Sequence, residues 1–136
     1  MVGYSDVNFR GAGFQAHDVE LAVWMHYVVA AIDRSGDRPG WLDDLRANWS
    51  DQATGGFGFG IVPGLDDFVT EGRRALMSAF FRQALAEMER HGDTLTVGEL
   101  DSLKAGGPDA VFSEDLPMER FRNVARLAID LLEGRS

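Results

Sequence analysis

The sequence predicts an all-α fold: a compact single-domain bundle of about five helices over residues 1–136, with a long central helix. Apolar side chains recur at steps of three and four in five places, which is the spacing of one helix face. The joints between those runs carry residues that stop or start helices, among them Gly36, Pro39, Gly92, Thr96 and Gly134. The length of 136 residues and a composition of 45% apolar and 26% charged residues suit one globular domain with its own core.

Residues 1–15 read as an irregular segment anchored by Phe9 and Phe14. The first helix follows. Leu21, Met25, Val28 and Ile32 form its apolar face, Asp18 and Glu20 complement the dipole of its first turn, and Ser35-Gly36-Asp37 ends it. Pro39 opens a short second helix that buries Trp41, Leu42, Leu45 and Trp49 and ends near Gln52.

Residues 53–64 read as a glycine-rich loop, in which Phe57, Phe59 and Ile61 alternate with glycines. This loop and the N-terminal segment are the places for any minor β element. The third helix is expected to be the longest and central, starting between Leu65 and Thr70 and ending at Gly92. Leu76, Phe80, Ala84 and Met88 form one of its rows, and Met77, Phe81 and Leu85 the next. Thr96-Val97-Gly98-Glu99 is a capping-box pattern that opens a short fourth helix burying Leu100 and Leu103. The last helix starts near Pro117, buries Phe121, Val124, Ala128 and Leu131, and ends at Gly134.

The absence of cysteine excludes a disulfide framework, a thiolate zinc site and a cysteine nucleophile. It agrees with a cytoplasmic location. The longest apolar stretch, Val28 to Ile32, is far too short for a bilayer, so no membrane association is expected. A net charge of −9 repels nucleic acid and anionic lipid, and attracts a basic protein partner.

Motifs for chemistry are incomplete. Gly56-x-Gly58-x-Gly60 resembles part of a dinucleotide fingerprint, but it follows a helical segment where that motif needs a strand, and the loop has no lysine for a P-loop. Glu87 and His91 share a helix face, yet there is no Glu-x-x-His pair, and His17 and His26 lie on opposite sides of a helix. No Gly-x-Ser-x-Gly or Ser-x-x-Lys occurs. No metal, cofactor or catalytic residue is predicted.

What remains points to binding. Asp43, Asp44, Asp66 and Asp67 are candidates for an acidic partner-binding surface, with Phe57 and Phe59 as apolar anchors beside it. Small, acidic and without catalytic motifs, the chain resembles bacterial immunity proteins, which neutralise toxins. That resemblance implies a non-catalytic inhibitor with a toxin as its basic partner. The alternative expectation is a small helical enzyme or ligand-binding domain. Its pocket would lie between the long third helix and the glycine-rich loop, with Glu71, Glu87 or His91 as polar groups.

Overall fold

The computed structural model of the chain describes residues 3–55, 60–105 and 111–135. The N-terminal segment, expected to be irregular and one of the two places for a minor β element, is a β-hairpin. Strand β1 (Tyr4–Phe9) pairs antiparallel with β2 (Ala12–His17), in a register running from Tyr4↔His17 to Phe9↔Ala12. Its period is two: Ser5, Val7 and Phe9 point inward while Tyr4, Asp6 and Asn8 face out. Arg10 and Gly11 make the two-residue turn, both at positive φ (52° and 83°), as a type I′ turn requires.

Helix α1 (Asp18–Arg34) leaves the hairpin without a linker, and Glu20 accepts a hydrogen bond from the His17 amide at 3.2 Å. α1 is the central helix, packing on α2 (Gly40–Thr54), on α4 (Arg74–Arg90) and on α6 (Met118–Glu133). It buries Val19, Val23 and Trp24 as well as the predicted Leu21–Ile32 face, so nearly its whole circumference is apolar. The central role expected for the third helix belongs here. α1 and α4 are equally long, at 17 residues each.

The expected third helix is broken at its start. A single turn, α3 (Leu65–Phe68), and a 3₁₀ turn at Glu71–Arg73 precede α4. Val69 and Thr70 leave helical geometry (ψ 86° and 169°), which separates the two pieces. Met77, Phe80, Phe81, Ala84 and Met88 are buried as expected, whereas Leu76 is 41% exposed. α4 therefore buries one face only.

After α4, β3 (Thr94–Leu95) pairs with β4 (Leu116–Pro117) and brackets α5 (Val97–Leu103). The capping box forms as its sequence predicts: Thr96 Oγ1 accepts from the Glu99 amide at 3.2 Å, and Glu99 Oε1 accepts from the Thr96 amide at 3.0 Å. α6 ends at Gly134 with φ 78°. The described residues are thus mostly helical, with six α-helices and two small antiparallel ladders. None of these helices is long and apolar enough to cross a membrane.

One contiguous core joins the helices and the hairpin. At its centre Trp24 lies 5.0 Å from Trp49 and 5.2 Å from Phe81, ring centroid to centroid. Ser5 ties three distant segments together. Its hydroxyl donates to Asp18 Oδ1 at 2.5 Å and accepts from the Ile61 amide at 2.9 Å, so the hairpin holds both the start of α1 and the exit of the glycine-rich loop.

Candidate functional site

Of the sequence-predicted binding residues, Asp43 and Asp44 lie on α2, and Asp66 and Asp67 lie on α3, which packs on β1 within a segment whose two ends meet α2. Gln52 exchanges hydrogen bonds with both backbone groups of Val62, at 2.7 Å each, and Trp49 Nε1 donates to Pro63 O at 2.9 Å. Further on, the Arg73 guanidinium stacks 4.8 Å above the Trp41 ring, on the first turn of α2. Residues 62–73 therefore meet the last turns of α2 at one end and its first turn at the other. Asp66 and Asp67, in α3, fall between those ends.

The aspartates differ in what holds them. Asp43 accepts from Arg38 at 2.8 Å, and Asp66 accepts from the Arg10 amide at 2.9 Å. Asp44 and Asp67 are exposed, as is Asp51 two helical turns beyond Asp44, and none of the three has an ion-pair partner among the described residues. Arg46, the one cation within α2, forks onto Asp33 of α1 at 2.7 and 3.2 Å, which holds the Asp33 carboxyl below its ordinary range. Residues 35–70 hold six carboxylates against two arginines. Val62 is 66% exposed at the end of this flank. Phe57 and Phe59 lie outside the described residues. Trp24 and Trp49 are fully buried, and Trp41 is half-buried under Arg73.

A second feature lies on another side, between α1 and α5. It is a cleft of about 610 Å³ walled by Ala30, Leu95 and Leu103, with polar groups from His26, Tyr27, Thr96, Glu99 and Ser102. Burial pushes the His26 imidazole below its usual pKa, against the opposing pull of the Leu103 and Ala53 backbone. Its Nε2 is buried with no hydrogen-bond partner among the described residues. Burial, and then the charge of Glu99, raise the Tyr27 phenol. Glu99 itself is held low by the Thr96 amide first and His91 second, His91 Nε2 standing 2.5 Å from its Oε2.

The sequence offered a quiet signal for this cleft. Ala30 sits one turn beyond His26 on α1, and Gly98 opens α5, so small residues surround a histidine on a face that no larger side chain fills. The polar groups expected of a pocket by the glycine-rich loop are dispersed. Glu71 pairs with Arg10 and Arg74 on the surface, Glu87 pairs with Arg90, and His91 belongs with Glu99. The loop side of that expected pocket, residues 56–59, falls outside the described residues. No group of three or more histidines and carboxylates among the described residues is placed to hold a metal ion. Compared with known proteins, the chain matches no family model, no curated protein and no solved structure.

Proposed function

We propose that the chain is a non-catalytic binding protein that engages a basic protein partner through the flank formed by α2 and α3. The observation that carries this reading is the uncompensated charge of that flank. Asp44, Asp51 and Asp67 stand exposed with no ion-pair partner among the described residues, while Arg46 pairs with Asp33, Arg38 with Asp43, and Arg73 donates to the Phe68 carbonyl. Such a field speeds the approach of a basic surface, and the exposed Val62 supplies an apolar contact beside it. An inhibitor of the immunity type, with a toxin as partner, is the finer form of this reading, and size and acidity support it.

The test is the association rate with a partner captured at low salt, followed by stopped flow as the salt rises from about 0.01 to 1 M, where the screening length shrinks from about 30 to 3 Å. The rate is expected to fall at least about tenfold. Asp44→Lys with Asp67→Lys is expected to slow association at low salt and leave dissociation nearly unchanged. A rate indifferent to salt and to both reversals removes the proposal.

A further inference from the structure

We infer that the cleft between α1 and α5 is a binding site for a small apolar amine, with the hydrocarbon body against α1 and the ammonium at Glu99. The site is separate from the acidic flank and does not depend on it.

The space exists because small residues face each other across it. Ala30 leaves one wall of α1 bare, and a Cβ added at Gly98 would meet only Thr96 Oγ1, at 3.9 Å. The volume, about 610 Å³, falls among those of small-molecule sites. Its polar end is anionic and preset. Both Thr96 donors bind Glu99 Oε1, at 3.0 Å each, and His91 approaches Oε2, so three contacts orient the carboxylate before any ligand arrives. Tyr27 also lines the cleft and feels the Glu99 charge.

Among the described residues, no lysine or arginine lines the cleft. The guanidinium of Arg122, which acts on Tyr27, is committed to the carbonyls of Met88 and Gly92 at the end of α4. Among the described residues, His91 is the group paired with Glu99 that can carry positive charge. The Glu99 carboxylate puts a negative charge in the lining, so charge complementarity favours an amine over an anionic ligand of the same shape.

The experiment titrates the intact protein with phenethylamine, 2-phenylethanol and 3-phenylpropionate at low salt, followed by the NMR signals of Tyr27, Ala30 and Leu103. The amine is expected to shift all three and to bind about fivefold more tightly than the alcohol, with the carboxylate weakest. Glu99→Gln retains the capping-box pattern, and is expected to preserve alcohol binding while erasing the advantage of the amine. Ala30→Phe is expected to fill the cleft and abolish all three. Absence of shifts at Tyr27 and Leu103, or an amine preference that survives Glu99→Gln, overturns the inference. If Glu99→Gln does not fold, the wild-type ratio decides alone: amine affinity at or below that of the alcohol overturns it, and a clear preference lost in high salt supports it.

Discussion

Ser5 shows how much one small side chain can decide. It is buried, and its hydroxyl is the only described partner of the Ile61 amide and a donor to the buried Asp18. Ser5→Ala leaves that amide and that carboxylate short of a bond each. Its expected cost is about 1–3 kcal/mol, read as a lower denaturant midpoint at unchanged slope. Nothing in the sequence marks Ser5, because its partners lie 13 and 56 positions away. Gly60 is part of the same arrangement. It takes φ 79°, and a Cβ there would come within 2.9 Å of the Ser5 oxygen. The site residues divide likewise. The aspartates were legible by charge, whereas His26 and Tyr27 were hidden because a cleft is a property of three-dimensional neighbours.

At the scale of elements, the helices were readable wherever local rules agreed. The capping box of α5, the start of α6 at Pro117 and its stop at Gly134 all follow from residues within one turn. A minor β element was expected at the N-terminus or the glycine-rich loop; its form as a hairpin was not legible, because Arg10-Gly11 is not one of the usual type I′ pairs, although the alternation of Ser5, Val7 and Phe9 was present. A late start was legible in Thr70 as a capping residue and in Gly72, whereas the separate turn at Leu65–Phe68 was not.

Two consequences belong to this scale. Thr96→Ala is expected to cost about 1 kcal/mol, with hydrogen exchange quickening first in α5. The second concerns the end of α6, where Glu133 would repel the negative end of the helix dipole. Arg82, Ser78 and Arg135 compensate, and lower its pKa from 4.5 to about 2. Since the folded value is the depressed one, its contribution is complete above about pH 4.5 and fades as the pH falls toward about 2. Glu133→Gln is expected to flatten the stability profile in that acid window and to leave its shape above pH 5 nearly unaltered.

For the whole molecule, the expected helical class and the single continuous core were legible, and the packing order was not. Apolar periodicity says that a face is buried but not against what, so the central position of α1 emerges only from its three helical neighbours. Net charge was equally legible as a total, and the meeting of residues 62 and 73 with the two ends of α2 was not. Clustered like charges also repel one another. Asp44→Lys with Asp51→Lys is therefore expected to hold or raise the melting temperature in low salt, although the same flank is the proposed binding surface. A fall of several degrees would mean that these aspartates have structural partners.

The placing of the three indoles gives the protein two separate optical reporters. Trp24 and Trp49, sealed 5.0 Å apart, are close enough for their excited states to couple, so near-ultraviolet dichroism should carry a couplet that disappears once the interior loosens. Trp41, roofed by Arg73 beside Asp43 and Asp44, should answer instead to whatever arrives at that side, through a change in emission colour or quenching while the couplet stays put.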